Sequence, residues 1–326
     1  MASYLLTGCA GFIGAATTQR LLGEGHRVVG IDNLNDYYDV SLKQHRLSGL
    51  EHPSFTFKRV DIEDTAAVAT LFDQQRDGPF DAVLNLAARA GVHHSLVDPH
   101  VYLRTNAMGT LNLLEAMRHH GCPKMVLAST SSLYAGLPTP FDESLPVNTP
   151  ISPYAASKKS AELIAHSYHH LYEIDVSVCR YFTVYGPAGR PDMSIMRFIQ
   201  WIDRGHPIKV FGDGTQARDF TYIDDIVAGT IAATVPLGYQ TFNLGGGGEP
   251  VPLHRVISIL EDLLGKRAQV EHHPFHQADM RVTRANVRRA AEQLDWHPTV
   301  PIEEGLRRTV KWYRENLPWS SAIRLE

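Results

Sequence analysis

Tyr154 and Lys158 stand four residues apart in Ser-Pro-Tyr-Ala-Ala-Ser-Lys-Lys-Ser-Ala-Glu, a spacing that puts both side chains on one face of a helix. A phenol ionises near pH ~10, and an ammonium beside it favours the phenolate and brings the group toward working pH. The pair is therefore an acid/base unit for a hydroxyl proton, able to deprotonate an alcohol while a hydride leaves its carbon. On their own, a Tyr and a Lys at this distance also occur on ordinary surface helices. The chemistry needs a hydride acceptor, and the start of the chain offers one.

Thr7-Gly8-Cys9-Ala10-Gly11-Phe12-Ile13-Gly14 lies between an apolar strand, Tyr4–Thr7, and a helix over Ala15–Glu24. Missing Cβ atoms at Gly8, Gly11 and Gly14 permit a tight turn and close approach of a pyrophosphate, which the helix N-terminus would meet with oriented N–H groups. A second strand, Arg27–Ile31, ends at Asp32, where a carboxylate accepts the hydroxyls of an adenosine ribose and repels a 2'-phosphate. The expected cofactor is NAD rather than NADP.

These residues need a scaffold, and the strand–helix rhythm continues. Strands are predicted over Thr56–Val60, Ala82–Leu86, Lys124–Ala128 and Asp175–Arg180, and helices over Asp64–Gln75, Val101–His120 and Tyr154–Tyr172. This is the pattern of an α/β fold, a Rossmann-type doubly wound parallel sheet with ligands at the carboxyl ends of its strands. Beyond Tyr181 the rhythm breaks into Gly- and Pro-rich loops, a helix over Ser194–Arg204 and a strand over Ile208–Phe211. Thr221–Val235 and Thr241–Leu244 read as a helix and a strand that rejoin the first sheet. The tail from Val251 to Trp312 reads as mostly amphipathic helix, with one strand near Gln269–His272. The expected division is a cofactor domain of residues 1–181 and 219–247 and a smaller, discontinuous α/β substrate domain of 182–218 and 248–326.

Composition bounds the rest. With 326 residues, 44% hydrophobic and 20% charged, the chain can bury a sizeable core. A formal net charge of -4 without long basic runs argues against nucleic-acid or membrane-surface partners. Three dispersed cysteines and an N-terminus that runs straight into the first strand point to a cytoplasmic protein, and the 17 histidines show no metal-ligand spacing.

The Lys124–Ala128 strand runs into Ser129-Thr130-Ser131-Ser132-Leu133-Tyr134, bringing several hydroxyls to a strand end, where such side chains also commonly satisfy local backbone groups. The Gly-x-x-Gly-x-x-Gly spacing together with Tyr-x-x-x-Lys resembles the short-chain dehydrogenase/reductase superfamily. That resemblance implies Phe12 and Ile13 in the cofactor loop, Asp61 and Ile62 beside the adenine, Leu86, Ala87 and Ala88 along the dinucleotide, and Lys158 on the nicotinamide ribose. In the extended branch that acts on nucleotide sugars, Thr130 matches the catalytic Ser/Thr. The next two positions carry an Asp-Glu pair in the 4,6-dehydratases. Here they are Ser131 and Ser132, which argues against dehydration.

Asn106-Ala107-Met108-Gly109-Thr110 and Gly212-Asp213-Gly214-Thr215-Gln216-Ala217-Arg218-Asp219-Phe220 extend the resemblance to UDP-sugar 4-epimerases over nearly the whole chain. Asp32-Asn33-Leu34-Asn35-Asp36-Tyr37-Tyr38-Asp39, and Gly189-Arg190-Pro191-Asp192-Met193 after Tyr185-Gly186-Pro187, resemble the UDP-glucuronate 4-epimerases. A uronic acid needs a cation or several donors around its carboxylate. Arg190 offers the first, and Ser131, Ser132 and Thr183 the second; the lesser alternative for Arg190 is a loop arginine bound to backbone carbonyls. The resemblance sets Arg218 on the UDP pyrophosphate, with Asp279 and Arg281 near the nucleotide, and suggests a homodimer. Two departures from the pattern are His93, where related sequences often have Arg, and Ala135, where they usually have Gly. The implied reaction is NAD-dependent interconversion of UDP-glucuronic acid and UDP-galacturonic acid through a 4-keto sugar. A UDP-glucuronate decarboxylase and a neutral UDP-hexose or UDP-N-acetylhexosamine 4-epimerase share the oxidation step. From another class, an NAD-binding regulator would keep the glycine loop and Asp32, but has little use for Thr130, Tyr154 and Lys158 together.

Overall fold

Leu5, Leu6, Ile31, Val83, Leu84, Val126, Leu127, Val176 and Val178 are all essentially inaccessible to solvent, which requires a sheet covered on both faces. In the computed structural model, which describes residues 1–75, 78–275 and 278–325, these side chains lie on adjacent strands of one parallel sheet. The strands in chain order are β1 (Ser3–Thr7), β2 (Arg27–Asp32), β3 (Phe55–Arg59), β4 (Ala82–Asn85), β5 (Lys124–Thr130), β6 (Asp175–Tyr181), β7 (Thr183–Tyr185), β8 (Ile208–Phe211), β9 (Ala217–Arg218), β10 (Phe220–Tyr222), β11 (Tyr239–Leu244), β12 (Val251–Pro252) and β13 (Val270–His273). Seven of them form the central sheet in the order β11-β6-β5-β4-β1-β2-β3. Successive residues alternate between its faces: Leu5, Val83, Met125 and Leu127 join one apolar cluster, Leu6, Leu84, Val126 and Ala128 the other.

The chain order reverses beside β1, which pairs with β2 on one side and β4 on the other. Ligands of open α/β sheets bind outside the carboxyl ends of the strands at such a point. Gly8 follows β1, Asp32 ends β2, Leu86 follows β4 and Thr130 ends β5. β11 adds to the edge beside β6 in parallel, as its sequence suggested.

A third apolar cluster forms beyond the sheet. The Ser194–Arg204 helix buries Ile195, Met196, Phe198, Ile199 and Ile202, one face at helical spacing, against Val256, Leu260 and Leu264 of the Leu253–Leu264 helix. Parallel pairs β7/β10 and β8/β13 and the antiparallel pair β9/β12 complete this part.

Three segments differ from the sequence reading. Val101–His120 is not one α-helix: Pro99–Tyr102 and Gly109–His120 are α-helical and Leu103–Met108 between them winds as a π-helix. The tail contains the helices Leu253–Leu264, Arg288–Leu294, Ile302–Glu315 and Leu317–Ser320, but the stretch before Arg288 returns extended across the molecule. There Phe141 N donates to Arg284 O at 2.7 Å, Asn286 N to Phe141 O at 2.9 Å and Ala217 N to Arg281 O at 2.9 Å, partners far away in sequence. Third, Val40–Ser48 is a helix that hydrophobic period alone did not reveal; Asp39 caps it, accepting from Ser41 N, and two of its three buried residues are Lys43 and Arg46.

Candidate active site

The glycine loop closes on itself: Gly11 N donates to Gly8 O at 2.9 Å, and Ala15 N to Gly11 O at 3.0 Å. A Cβ on Gly14 would sit 2.0 Å from Gly8 O, and Gly8 itself has φ +71 with a hypothetical Cβ 2.9 Å from Ala87 Cα. Neither position accepts a side chain without moving backbone. The Phe12–Gly23 helix that follows begins at Gly11, with no side chain capping its first N–H groups. That leaves donors and the positive end of the helix dipole for an anion. Opposite the loop, Ala87 N donates to Thr7 Oγ1 (2.9 Å), which in turn donates to Asn85 Oδ1 (2.8 Å), so the β1 and β4 ends are tied together.

Asp32 is buried at the β2 tip, where its Oδ1 accepts from Leu34 N at 2.8 Å and its Oδ2 from Ala10 N at 3.3 Å. Asp61 accepts from Asn33 Nδ2 at 2.7 Å and from Glu63 N at 2.9 Å, which sets Ile62 at the edge of the same space. That space is a cavity of about 790 Å³. Its wall includes Gly8, Gly11, Phe12, Ile13, Gly14, Asp32, Asp61, Ile62, Leu86, Ala87 and Ala88 at one end. Thr130, Ser131, Ser132, Tyr154, Lys158, Thr183, Arg190, Arg218 and Asp279 continue it. A glycine cradle, open helix N–H groups and a carboxylate at the β2 tip in one cavity fit a dinucleotide.

The Pro153–Tyr172 helix carries Tyr154 and Lys158; Ser152 caps it by accepting from Ala155 N. Burial raises the Tyr154 phenol above its ordinary value, while hydrogen bonding with Thr130 and the charge of Arg190 pull it back down. The expected partner, Lys158, acts differently. Its Nζ donates to Ala128 O at 2.8 Å, and burial pushes the ammonium down to about 8, opposed by Glu162. The cation that lowers Tyr154 is thus Arg190, from a loop 36 residues downstream, and sequence spacing could not have identified it.

Thr130 Oγ1 accepts from Ser132 N at 3.1 Å, which folds Ser131–Tyr134 into a short 3-10 turn and presents the hydroxyls in sequence. Ala135 has φ -54, a conformation open to any residue, so an alanine there costs this turn nothing. Behind the turn, Glu162 accepts from Arg180 through both oxygens (2.9 and 2.8 Å) and from Ser129 Oγ (2.7 Å). Arg180 also donates to the Tyr134 hydroxyl at 2.8 Å.

Arg190 is engaged already. Its Nε donates to Asp192 Oδ1 at 3.0 Å and its Nη2 to Asp192 Oδ2 and to Ala90 O (3.3 Å), with the guanidinium over the Tyr37 ring. Arg218 Nη1 donates to Ala217 O (3.1 Å) and Arg281 O (3.3 Å), and burial holds the group below the usual arginine range. Asp279 pairs with His93 at 3.0 Å, drawing the loop after β4 toward the extended tail, and this bond raises the imidazole pKa. Arg281 is the exception among the expected residues. Its side chain lies over Phe275 and is not part of the cavity wall; only its carbonyl reaches Arg218.

Sequence reasoning missed Lys43, Tyr37, Arg197, Lys209 and Gln216, all of which line the cavity. For Tyr37 a signal existed in the Asn-Asp-Tyr-Tyr run after Asp32. Gln216 stands within the 212–220 run, while Lys43, Arg197 and Lys209 come from segments whose approach depends on tertiary packing. Among the described residues no group of His, Cys, Asp and Glu could hold a metal ion, and no helix is long and apolar enough to cross a membrane.

Known proteins share this chain's fold and much of its sequence. The UDP-glucuronate 4-epimerase of Thermodesulfobacterium geofontis is 56% identical over 326 residues, all of both chains. The crystal structure of UDP-glucuronic acid 4-epimerase from Bacillus cereus in complex with UDP-glucuronic acid and NAD superposes with a TM-score of 0.90 at 37% identity, covering 96% of this chain and 99% of that one. UDP-glucose 4-epimerase from Thermotoga maritima with UDP-glucose gives 0.87 at 30%, over 97% and 99%. Residues 4–245 match the NAD dependent epimerase/dehydratase family, and the chain belongs to it.

Proposed function

We propose that this chain is a UDP-glucuronate 4-epimerase that interconverts UDP-glucuronic acid and UDP-galacturonic acid. The observation that carries the reading is the Thr130-Ser131-Ser132 turn beside Tyr154 in the cofactor cavity, which gives a proton-transfer pair and uncharged donors but no acid/base pair for elimination. Bound NAD supplies the acceptor, and later the donor, of the C4 hydrogen. Tyr154 takes the C4 hydroxyl proton, with Thr130 sharing it and Arg190 favouring the phenolate, and gives it back after the 4-keto sugar has turned. Lys158 holds the cofactor ribose, and Arg218 holds the UDP pyrophosphate.

A 4-keto uronic acid is a β-keto acid, which loses carbon dioxide when its carboxylate stands perpendicular to the carbonyl plane. Ser131, Ser132 and Thr183 hold that carboxylate out of the perpendicular orientation. Residues 1–181 with 219–247 serve the cofactor, and 182–218 with 248–326 serve the nucleotide sugar.

Incubation with UDP-glucuronic acid and no added NAD, followed by chromatography, should yield UDP-galacturonic acid. A pentose product would make the protein a decarboxylase, and equal turnover of UDP-glucose would make it a neutral-sugar epimerase.

The protein works as a cytoplasmic homodimer. Leu103, Met108, Leu163 and Leu171 are exposed on the neighbouring helical segments Leu103–Met108 and Pro153–Tyr172, an apolar surface suited to a second copy. Light scattering should give a mass of two chains, and Leu163→Glu should give one. Three buried free cysteines suit a reducing compartment.

A further inference from the structure

The Val40–Ser48 helix turns two cations inward, Lys43 at 4% and Arg46 at 7% exposure. Arg46 is well partnered, with four of its five N–H donors engaged: it donates to Ala10 O (3.1 Å), to the Tyr38 hydroxyl (2.7 Å) and twice to Ala188 O (3.1 and 2.7 Å). Lys43 is not. Its Nζ stands 3.5 Å from Asp32 Oδ1 and 5.3 Å from the centre of the Tyr38 ring, and no hydrogen bond to another described residue completes its donor set. The carboxylate has its own partners in Leu34 N and Ala10 N. Both side chains are more than nine-tenths buried yet face the cavity beside the glycine loop. An ammonium with three donors and one long ion pair is costly to keep out of water unless something in the cavity accepts from it.

We infer that Lys43 is a second cofactor-binding and specificity residue: together with Asp32 it grips the adenosine ribose hydroxyls. This rests on the assignment of the cavity to NAD. A hydroxyl both donates and accepts, so it can donate to Asp32 and accept from Lys43 at once. A carboxylate alone would read only the donor. The pair also changes how a 2'-phosphate is rejected, because the site has no net charge: Asp32 repels the phosphate and Lys43 attracts it. Discrimination against NADP therefore rests on Asp32 being nearer than the cation, and neutralising Asp32 should expose a latent phosphate site.

The test uses full-length protein carrying NADH, whose fluorescence reports displacement by NAD, 2'-deoxy-NAD and NADP. Wild type should bind 2'-deoxy-NAD about tenfold more weakly than NAD. Lys43→Met should weaken NAD about tenfold, and removal of the 2'-hydroxyl should then cost only about twofold. Asp32→Asn should bring NADP within about tenfold of NAD, and Asp32→Asn combined with Lys43→Met should lose that gain. Lys43→Gln, which keeps a neutral donor, carries the same comparison should the methionine variant not fold. Unchanged displacement constants in the Lys43 variants, or equal NADP binding with and without Lys43 in the Asp32→Asn background, would overturn the inference while leaving the NAD site intact. Failure of the wild type to hold NADH at all would overturn both.

Discussion

The two ends of the cavity carry the same charges in opposite arrangements. At the cofactor end Lys43 and Asp32 come from a helix and a strand tip and stand 3.5 Å apart, with cation donors left over. At the other end Arg190 and Asp192 come from one loop, two residues apart, and are joined through both carboxylate oxygens. A pair assembled across elements leaves capacity for a ligand. A pair closed within a loop shapes that loop and spends most of its hydrogen bonding on itself. In the proposed mechanism Arg190 acts on Tyr154 through its charge, which favours the phenolate without a shared hydrogen bond.

The largest effect should come from the group between the two ends. Tyr154→Phe should lower kcat by about a thousandfold, while NADH and UDP bind as before; loss of either binding would show that the ends depend on the phenol. Next is Arg190→Met. If its charge is what matters, kcat at pH 7 should fall by about ten- to a hundredfold and the rising limb of the pH–rate profile should move to higher pH, because Tyr154 loses the cation that lowers it. A uniform fall at all pH values would assign Arg190 to the loop alone. Asp192→Asn breaks the closed pair from its other side and should cost about 1–3 kcal/mol in denaturant unfolding, since it strands a largely buried guanidinium.

The smallest effect concerns Lys158, another buried cation, which donates to a carbonyl. Its pKa is pushed down to about 8, below the usual lysine range, so the unfolded chain binds the extra proton between about pH 8 and ~10.5. The cost of burying the ammonium is complete below pH 8 and fades as pH rises toward 10.5. In protein freed of NAD, Lys158→Met should therefore raise Tm by a few degrees, about 2–4 °C, at pH 7, with the gain shrinking by pH 10 in a thermal melt.

Much of the cofactor end was legible because its signals are local. Gly8, Gly11 and Gly14 answer to backbone contacts within the loop or with the adjoining strand end, and Asp32 to its place at a strand tip. Strand positions followed from apolar runs, and the Ser194–Arg204 helix from its buried face. Lys43 was not legible, since a lysine on a short polar helix announces a solvated surface until the fold turns that helix inward. The extended return before Arg288 was hidden for a related reason: its hydrogen bonds go to Phe141 and Ala217, and neither partner leaves a periodic trace in the segment itself. Arg190 was visible as a cation near the sugar, but its fork on Asp192 and its influence on Tyr154 appear only in three dimensions.

The π-helical turn at Leu103–Met108 sets a rule for how this protein can change over time. Within it Asn106 accepts from Arg89 N and donates to Arg89 O and Ser157 Oγ, and just before it the Tyr102 hydroxyl reaches Ala90 O. Losing one residue there would restore ordinary α-winding and swing everything on the N-terminal side by about 100°. Tyr102 would leave the wall behind Tyr154, and Asn106 could no longer brace the loop after β4. Replacements along this stretch should be accepted far more readily than any single-residue insertion or deletion, so homologous chains are expected to vary in spelling here but not in length.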